Sequence, residues 1–293
     1  MSAAHATSLL APRQLVCRDR VITLDGAPKM VGIVNVTADS FFDGGLHATT
    51  DAAVAHALTL AEEGAALIDI GGESTRPGFV QISTDVEIAR VVPVIAALAG
   101  KTKVPLSIDT HKPVVARAAL QAGAHVLNDI RGFQGDPELP AIAAEAGCAV
   151  ILMHNVPLMH KDASFKTTAG DVVAGLLAFF ERSLAIATQA GVAREKIVLD
   201  PGIGFGKTHE QNLELLARLG ELRVLGLPLL LGASRKLVIG NTLSLRPEDR
   251  LEGTLTTTAL AVWQGVEFIR VHDVRANARA ATMAAAIRTF SKP

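Results

Sequence analysis

Three polar side chains in this 293-residue sequence follow directly on apolar runs: Asp109 in LSIDTHKP, Asn128 in LNDIRG and Asp200 in VLDPGIGFGKT. A carboxylate at the end of a buried strand loses its water and must meet a strong donor. Two carboxylates and an amide together suit a flat polar heterocycle. A carboxylate offers two acceptors to the paired N–H groups of a guanidine-like ring edge, and an amide reads an adjacent donor and acceptor. Any one of these acids could instead pair with a lysine, an arginine or a helix N-terminus and serve only the fold. Three such strand ends favour a ligand.

Cations follow in two further strings, Arg235 and Lys236 in GASRK and Arg270 and His272 in IRVHDV. Residues 270 and 272 share one side of a strand by its period of two. With Asn35, which ends the apolar run 30–34, they make a clamp for a phosphate or diphosphate. The competing expectation for Arg270 is a surface ion pair with Asp273 or Glu267. The glycine-rich string DPGIGFGKT at 200–208 resembles two phosphate motifs and matches neither. A P-loop needs glycine five positions before the glycine of GK[ST], where Pro201 stands and has no N–H to donate. A dinucleotide fingerprint from Gly202 and Gly204 needs a third glycine at Lys207.

Eight apolar runs must position these groups: 30–34, 66–70, 104–108, 124–127, 149–153, 197–199, 228–231 and 266–269. Between them helical periodicity covers 51–63, 85–98, 113–122, 137–146, 171–190, 209–219, 250–264 and 274–290. Thr50-Asp51, Ser83-Thr84 and Asp273 offer N-caps, and Gly64, Gly100, Gly123 and Gly191 mark helix ends. Continuous rather than alternating apolar runs suit parallel strands buried on both faces. The pattern predicts an α/β fold, a (β/α)₈ TIM barrel. An open doubly wound sheet would place ligand groups at one switch point, whereas here nearly every strand end carries one. Residues 14–28 predict a hairpin, with Leu15, Cys17, Val21 and Thr23 alternating and a turn at Asp25-Gly26, that closes the opposite end of the barrel. The chain thus divides into an N-terminal extension and cap, 1–29, and a barrel, 30–293.

Composition limits the function classes. A formal net charge of -1 with 19% charged residues excludes a strongly basic nucleic-acid-binding surface, though not a local basic cleft for an anion. Cys17 and Cys148 have no metal-ligand spacing and are expected to stay reduced. The N-terminal MSAAHATSLLAPR lacks a cationic lead into an apolar core, and no 18 consecutive residues are apolar. A soluble, unprocessed cytoplasmic protein is expected, with no membrane partner.

The strings MVGIVNVTADSFFDGG, IDIGGESTRPG, SIDTHKP, LNDI, LMH, DPGIGFGKT, GASRK and RVHDV occur in this order over residues 30–274. In them the chain closely resembles the dihydropteroate synthase family of pterin-binding TIM barrels. The resemblance implies condensation of (7,8-dihydropterin-6-yl)methyl diphosphate with 4-aminobenzoate, giving 7,8-dihydropteroate and diphosphate. It implies a pterin pocket of Asp109, Asn128, Ile130, Met153, Asp200, Phe205, Gly232, Lys236 and Arg270, with Asp109, Asp200, Lys236 and Arg270 central to catalysis. Asn35, Thr75, Arg270 and His272 would hold diphosphate, with magnesium at the Asn35 side-chain oxygen. Phe41, Thr75, Arg76, Pro77, Phe205, Ser234, Arg235 and the Lys236 stem would receive aminobenzoate, the substrate that sulfonamides mimic in this family. A homodimer is implied, for which the apolar helices at 254–263 and 280–287 offer a face.

No residue set pairs an activated nucleophile with a base, so a dissociative, S_N1-like loss of diphosphate is expected rather than a covalent enzyme intermediate. One position departs from the family pattern: Ala38 stands where the first-loop string usually has proline, which frees the backbone there. Two other classes compete with this one. A pterin-binding methyltransferase domain serving a corrinoid protein has no diphosphate to clamp, which STRPG, SRK and the pair Arg270 and His272 argue against. A catalytically silent pterin-binding paralogue would have lost anion or loop residues, and only Ala38 departs.

Overall fold

Side chains that alternate across each parallel strand divide this chain's apolar residues into two separate cores, and the site stands above the smaller one. The computed structural model describes residues 14–36, 45–73, 81–155 and 171–290. Within these, a hairpin of β1 (Gln14–Cys17) and β2 (Arg20–Thr23) precedes the strands β3 (Lys29–Asn35), β4 (Ala65–Gly71), β5 (Leu106–Asp109), β6 (Val126–Asp129), β7 (Ala149–Met153), β8 (Ile197–Asp200), β9 (Leu230–Leu231) and β10 (Phe268–Val271). The last eight are parallel, in the order β8-β7-β6-β5-β4-β3-β10-β9. A parallel bridge between Leu199 and Leu229 joins the two ends, so the sheet closes. The predicted barrel is present, with its strands within about three residues of the expected runs.

The helices are α1 (Gly45–Glu62), α2 (Thr84–Ala99), α3 (Pro113–Gln121), α4 (Glu138–Ala146), α5 (Val172–Gln189), α6 (His209–Ala217), α7 (Leu237–Leu243), α8 (Leu251–Trp263) and α9 (Val274–Thr289). Outward strand residues such as Ile68, Ile108, Leu127, Leu152 and Leu199 pack with the helices into the large outer core. Inward residues Val31, Leu67, Val126, Ile151, Val198, Leu230 and Phe268 form the inner core with Leu15, Cys17 and Ile22 of the hairpin. The hairpin therefore plugs the N-terminal end of the barrel, as expected.

Its register differs from the expectation. Leu15 pairs with Ile22 and Cys17 with Arg20, so the connecting residues are Arg18-Asp19. Ile22 points into the core while Val21 is 53% exposed. Directly opposed residues in an antiparallel pair lie on one face, and the facing strand therefore decides which side of β2 is buried. The turn at Asp25-Gly26 exists, with Gly26 at φ 90, but it leads from the hairpin into the barrel.

Ser83 caps α2 by accepting from the Val86 N–H. Thr50-Asp51 lies inside α1, which begins at Gly45; local capping preference is worth only about 1 kcal/mol and yields to a longer helix. Asp273 occupies the N-cap of α9 without making a cap bond, because its carboxylate is engaged by Arg235. Helix α7 was not expected, since seven residues containing Gly240 carry too little periodicity to register. By length and composition α5 alone among the described residues could cross a bilayer. It instead buries Val172, Val173, Leu176, Phe179, Phe180 and Leu184, a face that the outer core uses.

Candidate active site

At the C-terminal ends of the strands the inward positions become polar, and Arg270 is at their centre. Its Nε donates to Asp69 Oδ2 at 2.6 Å and its Nη2 to Asp109 Oδ2 at 3.0 Å. Asn128 Nδ2 donates to the same Asp69 oxygen at 3.1 Å. One buried carboxylate thus orients both an arginine and an amide of the expected pocket. The surface pairing weighed for Arg270 does not occur, because Glu267 pairs with Arg223 and Asp273 with Arg235.

Asp69 escaped the sequence reading because it lies inside an apolar run rather than at its end. It has no exposed surface. Its signal was available: an acid two residues from Leu67 and two from Gly71 shares their inward face. Asn128 and Asp129 are separated by the same rule. Asp129 turns away to accept from the Arg131 and Phe133 N–H groups at 2.9 and 2.7 Å, and burial raises its pKa to about 6 despite those bonds.

Burial sets the electrostatics of the pocket. It raises the Asp109 pKa to about 7, with the Asp69 charge adding to the rise and Arg270 opposing it. Asp200 is also raised by burial, against the pull of Lys236 and the Gly202 N–H. Lys236 is lowered to about 8 by burial, with Asp200 resisting. Burial works against the Arg270 cation too, but the Asp69 and Asp109 carboxylates outweigh it and raise its pKa. Three carboxylates, Asp69, Asp109 and Asp200, and two cations, Lys236 and Arg270, are crowded together here, and burial moves one carboxylate and one ammonium toward neutrality.

The loop after β8 is braced through its backbone. Asp200 Oδ1 accepts from the Gly202 N–H at 2.8 Å, and Asn212 Oδ1 accepts from that of Gly204 at 2.7 Å. Lys207 Nζ donates to Gly202 O at 2.8 Å and Phe205 O at 3.2 Å, and lies 2.9 Å from His154 Nδ1. Lys236 Nζ donates to Ile203 O at 2.6 Å and sits 4.5 Å from the Phe205 ring centroid. Here Lys207 is a brace, and burial lowers its pKa to about 7. Burial, with the Lys207 charge second, lowers His154 to about 2, which leaves the ring neutral.

Gly202 has φ +66, and a Cβ there would lie 2.0 Å from the His154 carbonyl oxygen. Both a left-handed backbone and a backbone clash oppose any side chain. Gly202→Ala is expected to cost roughly 2–4 kcal/mol of stability, read as a fall in the denaturant midpoint at constant m-value.

Ile130 and Met153 are buried. At Gly232 a Cβ would stand 3.7 Å from Asp200 Oδ2 and 3.8 Å from Lys236 Nζ, so the position lies between the two charged groups. Ser234 Oγ and His272 Nδ1 are 2.9 Å apart. Arg235 has φ 56 and reaches back to Asp273 through Nε and Nη2 at 3.0 and 2.7 Å. Asn35 is exposed at the end of β3, opposite Gly71. Among the described residues no cluster of three or more His, Cys, Asp or Glu side chains could hold a metal. The single amide oxygen of Asn35 fits only an ion that takes most of its ligands from phosphate and water, as magnesium does. Ala38, Phe41, Thr75, Arg76 and Pro77 lie outside the described residues.

A family model described as pterin binding enzyme matches residues 31–272. The dihydropteroate synthase of Clostridium beijerinckii is 46% identical over 255 residues, covering 87% of this chain and 92% of that protein. The dihydropteroate synthase of Xanthomonas albilineans, solved with 4-aminobenzoic acid, superposes with a TM-score of 0.88 at 43% identity, covering 95% of this chain and 99% of that one. The Clostridium difficile enzyme, solved in the presence of pteroic acid, gives a TM-score of 0.85 at 44% identity over 91% of this chain and 98% of that one.

Proposed function

We infer that this chain, which belongs to the pterin-binding enzyme family, is a dihydropteroate synthase: it condenses (7,8-dihydropterin-6-yl)methyl diphosphate with 4-aminobenzoate to give 7,8-dihydropteroate and diphosphate. The observation that carries this reading is the arc of Asp109, Asn128, Asp200, Lys236 and Arg270 at the barrel mouth, of which Asn128 and Asp200 are buried and the other three partly so. That arc supplies the acceptors and donors a dihydropterin edge requires. The decisive assay follows diphosphate release. Turnover that needs both substrates and yields dihydropteroate is expected; release of no diphosphate from the pair would overturn the assignment.

Residue roles are those that the resemblance to the family implies. Asp109 and Asp200 accept from the ring N–H groups, Asn128 reads the neighbouring edge, and Ile130, Met153 and Phe205 enclose the ring faces. Gly232 leaves room beside Asp200, and Lys236 donates to a ring acceptor. Arg270, His272, Asn35 and Thr75 receive the diphosphate. A magnesium ion bound through Asn35 and phosphate oxygens would neutralise charge on the leaving group. Phe41, Thr75, Arg76, Pro77, Phe205, Ser234, Arg235 and the Lys236 stem receive 4-aminobenzoate.

The C–O bond to diphosphate breaks first, its electron pair leaving with the phosphate. The cation left on the exocyclic methylene is conjugated with the dihydropterin and offset by Asp109 and Asp200. The aromatic amine then attacks the methylene and loses a proton. Diphosphate cleavage in a single-turnover quench before the amine is added would support this order, and cleavage strictly dependent on amine would exclude it.

Assembly as a homodimer through α8 and α9 is supported by the exposed apolar side chains Trp263, Met283 and Ile287 on these two packed helices. A cytoplasmic location, without a nucleic-acid or membrane partner, is supported by the near-neutral charge and the reduced, buried Cys17 and Cys148.

A further inference from the structure

Two residues near the GASRK loop break local rules, and each accounts for the other. Arg250 occupies the N-cap of α8 without a capping bond, although a cation is the wrong charge for that end of a helix and arginine has no acceptor with which to cap it. Gly240 lies inside α7, where glycine weakens a helix. A Cβ at Gly240 would overlap the Arg250 guanidinium. The guanidinium thus fills the space beside α7 that a side chain would take, and Arg250 is buried.

In that place the guanidinium holds backbone. Its Nη1 donates to the Arg235 carbonyl at 2.8 Å and its Nε to the Leu245 carbonyl at 3.0 Å. One turn along α8, the Thr254 hydroxyl accepts from the Arg235 N–H at 3.1 Å and donates to the Arg250 carbonyl at 2.9 Å. Both peptide groups flanking Arg235 are therefore fixed from α8. Arg235 needs that support. It is the third residue of a tight turn closed by the Lys236 N–H on the Ala233 carbonyl at 3.1 Å. Its φ of 56 is a left-handed backbone that a residue with a Cβ keeps only where its surroundings impose it.

The turn aims both neighbours of Arg235. Ser234 Oγ accepts from the His272 N–H at 3.3 Å and lies 2.9 Å from His272 Nδ1, while Lys236 Nζ reaches the Ile203 carbonyl beside the Phe205 ring. We propose that Arg250, with Thr254, is a positioning residue for this turn, fixing the left-handed residue between Ser234 and Lys236 and so setting where those two side chains stand. The proposal rests on the reading of Ser234 as a contact of aminobenzoate and of Lys236 as a contact of both substrates. Both Arg250 bonds go to backbone carbonyls, so its removal acts on the substrates through the turn.

The test is steady-state kinetics with both substrates varied on Arg250→Met, Thr254→Val and Thr254→Ser, with Ser234→Ala and Lys236→Met as references and thermal melting alongside. Arg250→Met is expected to raise KM for both substrates by about 10- to 100-fold, the scale of a small misplacement of a binding group. Thr254→Val keeps the shape of the side chain and removes the acceptor of the Arg235 N–H. A smaller rise in the same two constants is expected, and this variant carries the test if Arg250→Met does not fold. Thr254→Ser, which keeps the hydroxyl, is expected to fall between Thr254→Val and the wild type. A merely structural role would lower the melting temperature and the fraction of active enzyme, hence the apparent kcat, with both KM values unchanged, and that result would overturn the proposal. If Ser234→Ala and Lys236→Met also leave both KM values unchanged while the wild type turns over, the assignment of the turn to the substrates fails and the proposal with it. If these references raise KM and the Arg250 and Thr254 variants do not, only the positioning role is lost.

Discussion

Replacing Arg270 with alanine is expected to lower kcat/KM for diphosphate release by about 10²–10³-fold, the cost of removing one preorganised donor from a site of developing negative charge. The structure adds a second consequence. The guanidinium separates Asp69 from Asp109, so its loss leaves two carboxylates facing each other in a buried barrel. Removing one partner from a buried ion pair typically costs about 3–5 kcal/mol. That penalty shrinks as pH falls, because a proton on Asp109 relieves it. The Asp109 pKa already lies near 7 with Arg270 present and moves higher without it. Arg270→Lys is expected to recover little, since an ammonium cannot span two carboxylates with a planar fork. Denaturation at pH 5.5 and 8 separates the two effects: a variant equally stable at both values would contradict this account of the charge balance.

The pH profile of kcat/KM is the second large effect. Asp109 must be ionised to accept from the pterin and pair with Arg270, so activity rises with pH through the Asp109 pKa, near 7. Lys236 must be charged to serve its acceptors, so activity falls through the Lys236 pKa, near 8. The expected profile is a narrow bell between those limbs, which report the free enzyme. Asp109→Asn should erase the acid limb and lower the plateau by about 10²-fold or more. Lys236→Met should erase the alkaline limb and leave the acid one. The stability signs are opposite. A carboxylate whose folded pKa is raised lends stability below the unfolded value, and this fades as pH climbs through about 7. A lysine whose folded pKa is lowered weakens the fold below about 8 and ceases to do so as pH rises toward its unfolded value. An alkaline limb that persists in Lys236→Met would assign it to another group.

The barrel was legible because its signal is long range: apolar runs that end in unlike polar residues recur through the whole chain, and no local ambiguity removes that rhythm. Pocket residues at strand ends were legible for the same reason. Asp69 was hidden by the rule that found them, since it lies within a run and its partners, Asn128 and Arg270, are 59 and 201 residues away. The buried face of β2 is not legible locally because its own alternation is consistent with either side, and only the register with β1 decides. Lys207 sits in a string that resembles phosphate motifs it does not match, while its work is to brace three neighbouring groups.

The division of the apolar side chains into an outer shell and a short inner plug has a consequence for how this protein can vary. Cohesion comes mainly from the shell, where helices grip the outside of the wall. The plug occupies only the lower part of the lumen, and above it the wall presents Asp69, Asp109, Asn128, Asp200 and Arg270. Strength and recognition therefore reside on opposite sides of one sheet of backbone, in alternate residues of the same strands. A substitution at an outward position such as Leu127 or Leu199 tests the scaffold, and its neighbour at Asn128 or Asp200 tests the ligand. Recognition can therefore be retuned on the inner positions while the architecture is preserved.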